Sequence, residues 1–441
     1  MFHSFHARPG RAPGFLASLL SATALAVTLA AGARAGTFDL DMAQIQETSP
    51  APGTVIGADN AEQFHQILDA DLIALIKQGW VTIKVGEPLS FDPHKSYIAA
   101  TDQYGGQTKL GDAPGVLLDY TAGRPFPAEP STDDPRAGEK IAWNTRYTFT
   151  GDTGSVPEMY WQYRDMRGQN VERELEFEAN SMRFMYRHFI DPKPNLPQNP
   201  YKIYSALTLK ALEPGDVAGT KLLIMYNSDD REDEQGWTYV PLLRRVRRIA
   251  TTARTDSFLG SDISVEDFLG YSGRIMDMTW AYKGTTYVLL PMYAHDKVEI
   301  SSRKARNYDY HFVDFEGHSG CFPKVTWQLR KVYIVEGHPV REDHPLSKRL
   351  FYVDAQTSWP IMAKLYDRAG VLWKILLGGI SHPDSHMPQN KGTGVPMFDS
   401  SSAIDLQNKH CTTIQALTLI NPPDVNQREF EPSTLEVGAH R

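Results

Sequence analysis

After residue 31 this 441-residue chain has no apolar run approaching the ~20 residues that a membrane-crossing helix needs, so no helical anchor is expected in its body. It has no basic excess: 45 lysines and arginines face 53 acidic residues, a net charge of −8. Binding to phosphate backbones needs a net basic face, so DNA and RNA are not expected partners. Cysteine is almost missing. Only Cys321 and Cys411 occur, and none follows the early apolar run, which excludes a lipoprotein-type anchor there. No repeat of 20–50 residues and no low-complexity tract is present.

The usual signatures of chemistry are missing too. GHSGC (317–321) and GYSGR (270–274) lack the G-x-S-x-G spacing and its strand–turn–helix setting, so turn chemistry explains their glycines better than a nucleophile does. KGTG (391–394) is neither a phosphate loop nor a dinucleotide fingerprint. His382 and His386 have helical spacing, but Pro383 and Pro388 interrupt them and no HExxH glutamate accompanies them. Paired acids such as Asp133-Asp134 and Asp229-Asp230 sit in turn sequences. No catalytic residue, metal site or cofactor is therefore expected, and the chain is not read as an enzyme.

What is present begins with a secretory signal over 1–35. Arg8 and Arg11 precede the apolar run 15–31, and Ala33-Arg34-Ala35 gives the small-x-small cleavage pattern. This predicts export as a soluble protein. A polar lead (36–59) follows, then a β-rich domain over 60–421 and a loose, Pro- and Glu-rich tail over 422–441. Phe64, Ile67, Leu68, Leu72, Leu75 and Ile76 predict one amphipathic helix between Asn60 and Gly79. The stretch 91–134 reads as loops and turns, packed rather than disordered because of its aromatic residues. From 147 onward short strand-like runs dominate, among them 159–164, 205–209, 221–226, 324–336, 349–354, 360–367 and 371–377, with hairpin turns at 354–357 and 367–370. Mainly β structure with few helices, in a curved antiparallel sheet, is the expected fold. In an oxidising compartment Cys321 and Cys411 most simply form one disulfide; two buried thiols are the alternative.

PLLRRVRR (241–248) places Arg244, Arg245, Arg247 and Arg248 on both faces of a strand. Asp256, Asp262, Glu266 and Asp267 follow closely enough to pair with them, which predicts an internal salt-bridge cluster. The functional alternative is an anion site at a cavity rim. Phe184, Tyr186, Met225, Trp237, Tyr239, Trp280, Tyr287 and Met292 are the candidates for lining a pliable apolar cavity on the concave face of the sheet.

Three stretches, YTAGRPFP with DPRAGEKIAWN upstream, EPGDVAGTKLLIMYNSDDREDEQGWTYVPLLRRVRRI (213–249), and HPLSKRLFYVDAQTSWPIMAKLYDRAGVLWK (344–374), resemble domain-of-unknown-function family 1329. That family is labelled outer-membrane lipoprotein-sorting-protein-like, within the wider LolA/LolB-like superfamily. The resemblance implies an incomplete β-barrel with helices covering its concave face, holding a lipid or other hydrophobic molecule. It also implies a location in the periplasm and service to an envelope transport system. The alternative it leaves open is an interaction protein without a ligand, docking on an RND-type transporter or an outer-membrane protein. No catalytic residue carries over. The chain is longer than the lipoprotein carriers and lacks the lipid-anchored cysteine of LolB.

Overall fold

The computed structural model describes Phe38, residues 41–249 and residues 254–436. The signal expected over 1–35 lies outside the described residues, which belong to one unit spanning Arg34–Arg441. Their framework is a 16-stranded sheet. It comprises β1 (Val55–Ile56), β2 (Ile83–Val85), β3 (Thr153–Asp165), β4 (Asn170–Arg183), β5 (Ile203–Glu213), β6 (Lys221–Asn227), β7 (Gln235–Val240) and β8 (Arg245–Ile249). The remainder are β9 (Met278–Leu290), β10 (Met292–Tyr293), β11 (Thr326–Pro339), β12 (Leu346–Asp354), β13 (Pro360–Asp367), β14 (Leu372–Ser381), β15 (Met397–Asp405) and β16 (His410–Ile420).

In space the strands run β1-β2-β11-β12-β13-β14-β15-β16-β3-β4-β5-β6-β7-β8, with β9 on β11 and β10 on β14. All pairings are antiparallel except β2 with β11 and β10 with β14. Local hairpins build each half as a meander, and the last long strand, β16, joins the halves by pairing with β15 on one side and β3 on the other. The sheet does not close on itself, so β8 is left as an edge.

The expected mainly β fold is thus observed, and the runs at 159–164, 205–209, 221–226, 324–336, 349–354, 360–367 and 371–377 fall in strands apart from residues 324, 325 and 371 at their ends. The helix expected over 60–79 is broken in two. A 3-10 turn at Ala61–Phe64 is separated from α2 (Ala70–Lys77), which follows α1 (Met42–Thr48) in the chain. The break has a local cause: Asp69 Oδ1 accepts from the amides of Asp71 (3.0 Å) and Leu72 (3.2 Å) and starts a new helix there. Asn60 instead accepts from Gly57 N and donates to Val55 O, so it caps nothing. Two helices, α3 (Lys95–Tyr104) and α4 (Ala137–Arg146), arise in or beside the stretch read as loops. That stretch is packed as expected, with Phe126 and Trp143 buried.

Both presumed ends are also part of the body. Ile45 and Ile56, within the supposed polar lead, belong to the largest core cluster, alongside Leu72, Ile76, Trp327 and Ile375. The described part of the supposed loose tail, 422–436, crosses the outer face of the sheet. Its Val425, Phe430 and Leu435 pack on Phe184, Leu223, Met225 and Tyr239. Alternate residues of β5 and β6 point outward as well as inward, and an apolar outer row needs a cover. Cys321 and Cys411 are bridged, tying β16 to the Phe315–Glu316/Phe322–Pro323 ribbon beside it. Among the described residues no helix is long and apolar enough to cross a membrane.

Phe430 is 1% exposed and sits at the centre of the tail contact, edge-on to Phe184. Phe430→Ala is expected to lower unfolding free energy by about 3–5 kcal/mol, read from the shift of the urea midpoint at constant slope. A loss below about 0.5 kcal/mol would mean that the tail does not hold to the sheet.

Candidate functional site

Eight neighbouring strands, β13-β14-β15-β16-β3-β4-β5-β6, line a cavity of about 300 Å³. A sheet whose eight strands face one hollow must bend around it, and side-chain size on the inner rows decides whether space remains. The register sets Ala179 opposite Leu209, Ser181 opposite Leu207 and Arg183 opposite Ser205. On the facing strands Ser401, Ser402, Ala403 and Ala416 also line the hollow. Small residues at these positions leave the sheet uncovered, while Trp161, Met159, Leu207 and Ile414 make the wall apolar.

The segment 263–270 lies over the cavity, with Ile263, Phe268 and Leu269 in its lining. It contains two 3-10 turns within Val265–Gly270, kinked at Phe268 and Leu269, and is opened by a capping box in which the Ser264 amide and hydroxyl both donate to Asp267 Oδ2 (2.8 and 2.7 Å). Gly270 has φ +89°, and a Cβ there would fall 2.4 Å from Pro360 Cγ, so only glycine lets the segment close down on β13. Phe258 and Phe268 meet Trp161 edge-on at ring distances of 5.8 and 6.3 Å.

Ion pairs buried beneath the segment hold it in place. Arg349, on β12, donates Nη1 to Asp267 Oδ1 and Nη2 to Glu266 Oε2, each at 2.6 Å. His344 Nε2 lies 3.2 Å from the same Glu266 oxygen. Burial alone would push the Glu266 carboxyl up; Arg349 and His344 outweigh it and hold its pKa at about 2. Asp262 accepts from the Thr412 hydroxyl at 2.8 Å and lies 2.7 Å from His410 Nδ1. That hydrogen bond raises the imidazole pKa despite partial burial.

The acids named for the expected salt-bridge cluster do not meet the arginines named with them. Asp262, Glu266 and Asp267 are buried and paired, but with His410, His344 and Arg349, while Asp256 is exposed. Arg244, Arg245, Arg247 and Arg248 lie at the β8 edge, exposed, and form no ion pair among the described residues. They do not rim the cavity. An edge strand has one unpaired side, where guanidinium groups meet water without a carboxylate, and the sequence distance to the acids says nothing about the strand order.

None of the eight aromatic and methionine candidates lines the main cavity. Phe184, Met225 and Tyr239 are packed under the tail with Trp237 beside them, and Tyr186 stacks among Tyr120 and Tyr147. Met292 and Tyr287 belong to the core around α2. Trp280 packs against Phe351, and its indole donates to Ile275 O at 2.8 Å. Large side chains fill space, so they mark the dry cores; the hollow lies where the inner row is alanine and serine. Alternating small residues in EANSMR (178–183) and in SSSA (400–403) were the available signal. Among the serines of the nucleophile-like loops, Ser272 Oγ donates to Val265 O (2.7 Å) and Ser319 Oγ to Met166 O (3.3 Å). His382 caps the one-turn helix α5 (Pro383–His386) by accepting from Asp384 N.

The sequence model of the family described as "Protein of unknown function (DUF1329)" matches residues 55–436. An uncharacterized protein of Pseudomonas aeruginosa is 23% identical over 367 residues, covering 81% of this chain and 74% of its own. Among solved structures, a DUF1329 family protein from Desulfovibrio piger is 19% identical and covers 69% of this chain and 99% of its own, with a TM-score of 0.46. One described as an outer membrane lipoprotein-sorting protein domain, from Vibrio parahaemolyticus, is 16% identical over 69% of this chain and 100% of its own, also at 0.46. A LolA superfamily protein from Nitrosomonas europaea is 11% identical over 67% and 97%, at 0.39.

The depressed Glu266 pKa stabilises the fold fully above its ordinary value of 4.5, and this contribution is lost as pH falls from there towards 2. Arg349→Met is expected to cost about 3–5 kcal/mol at pH 7, because it leaves carboxylates buried and unpaired. Measured against the wild type, the variant should then regain part of this loss between pH 7 and 5. Urea midpoints measured across pH test both signs; parallel profiles for the two proteins would refute the assignment.

Proposed function

This chain belongs to the DUF1329 family, and from that premise we propose that it is a non-catalytic carrier or accessory factor of the periplasm that holds a lipid or other hydrophobic molecule in the cavity under residues 263–270. The observation that carries this reading is the hollow itself: about 300 Å³, walled by eight strands and lined by apolar and small side chains. That volume stands at the lower end of the ~300–1,000 Å³ range of small-molecule sites. Each methylene transferred into such a wall contributes about 0.8 kcal/mol, so a medium-length alkyl chain supplies enough for micromolar binding without any covalent step.

Loading needs a way in. The 3-10 segment contributes no strand to the sheet and rests on side-chain pairs, so it is the natural cover to lift. The docking alternative keeps one supporting feature: the β7–β8 turn exposes Leu242 (91%) and Leu243 beside four arginines at an unpaired strand edge. Such an edge suits a membrane-embedded transporter or an outer-membrane protein, and it is compatible with a carrier that must deliver its cargo.

Protein purified without detergent and examined by native mass spectrometry is expected to retain a lipid-sized adduct or, when stripped, to take up a neutral apolar dye such as phenylnaphthylamine. Ala179→Trp, which puts an indole in the hollow, should weaken dye uptake by about 10-fold or more while the protein stays folded. Empty protein that takes up no dye would leave only the docking role.

A further inference from the structure

Arg183 ends β4 at one extremity of the cavity, with Thr150, Asp152 and Ser205 beside it in the lining. It is 6% exposed. Its Nη2 donates to Thr148 O (2.6 Å) and to Thr150 Oγ1 (3.2 Å), and among the described residues Nε and Nη1 have no hydrogen-bond partner and the guanidinium has no carboxylate partner. Other buried arginines are satisfied differently. Arg349 and Arg330 grip carboxylates, and Arg187 spends its three nitrogens on the carbonyls of Arg183, Pro192 and Ile190. The nearby Asp152 does not serve Arg183: its carboxylate accepts from the amides of His188, Phe189 and Ile190 at 3.4, 2.7 and 2.7 Å. A buried guanidinium with two unused donors, facing an apolar hollow, has the chemistry of an anion receptor.

We propose that the guest is a single-chain amphiphile with an anionic head, whose tail occupies the apolar hollow and whose carboxylate or phosphate is received by Arg183. This rests on the carrier reading above and adds the class of its ligand. The hydroxyls of Thr150, Ser181 and Ser205 surround the same end and offer further donors, while the opposite end, at Trp161 and Phe268, is apolar. Of the two acids in the lining, Asp267 is paired with Arg349, and the Asp152 carboxylate is turned onto three backbone amides. The gradient from cation to indole sets the direction of the chain: head at the end of β4, tail towards the covering segment. The anion site therefore lies inside the cavity and not at the exposed arginines of β8.

The test uses the whole protein loaded with phenylnaphthylamine and measures displacement by laurate, by methyl laurate and by lauroyl lysophosphatidate. Laurate or the lysophosphatidate is expected to compete at least about 10-fold better than the ester, which has the same tail and no charge. Whichever anion is stronger tells carboxylate from phosphate. In Arg183→Met the preference should collapse to near unity, and Arg183→Lys should keep most of it; thermal melts confirm that each variant is folded. The wild-type ratio alone is decisive if Arg183→Met does not fold. Equal competition by ester and anions in the wild type overturns the proposal and leaves the carrier reading intact, whereas failure of the dye and of all three competitors to bind removes both.

Discussion

An antiparallel ladder fixes which residues share a face, and here that constraint governs everything else. Once Ala179, Ser181 and Arg183 are registered against Leu209, Leu207 and Ser205, every second residue of eight strands is committed to one interior. Bending the sheet creates a volume that rows of alanine and serine cannot fill. The chain then needs a cover on the inside and a second cover on the outside, where the alternate row is apolar. The 3-10 segment serves the first need and the C-terminal residues the second.

The two covers are attached by different physics. The tail is held by apolar contact through Val425, Phe430 and Leu435. The inner cover is held by charge, with Arg349, Glu266 and Asp267 buried together and the half-buried His344 beside them. Apolar attachment has no directional demand and tolerates small movements. A guanidinium that bridges two carboxylates, one hydrogen bond to each, fixes the position of the cover much more narrowly.

Strand content was legible in the sequence because β-branched and aromatic runs between turn residues have a period of two, and the hairpins at 354–357 and 367–370 followed from local turn chemistry. What escaped was non-local. Nothing near β16 announces that it will sit between β15 and β3, and Ala403 and Ala416 carry no pattern strong enough to mark a strand. The same gap explains the misplaced cavity. Aromatic content is easy to see and signals filled space, whereas a hollow is written in residues too small to attract notice. The arginine cluster failed for a related reason: proximity in sequence suggested partners, but strand order put the acids against Arg349, some 80 positions later, and left Arg244–Arg248 at an edge.

The seating of β16 between β15 and β3 has a consequence for how the molecule comes into being. Strands β3 to β8 can pair as a meander by themselves, yet their free flank and their greasy back stay uncovered until β16 and residues 422–436 dock. Each meander thus lacks a neighbour that only β16 supplies, and this one strand is the keystone that makes two ladders into one continuous wall.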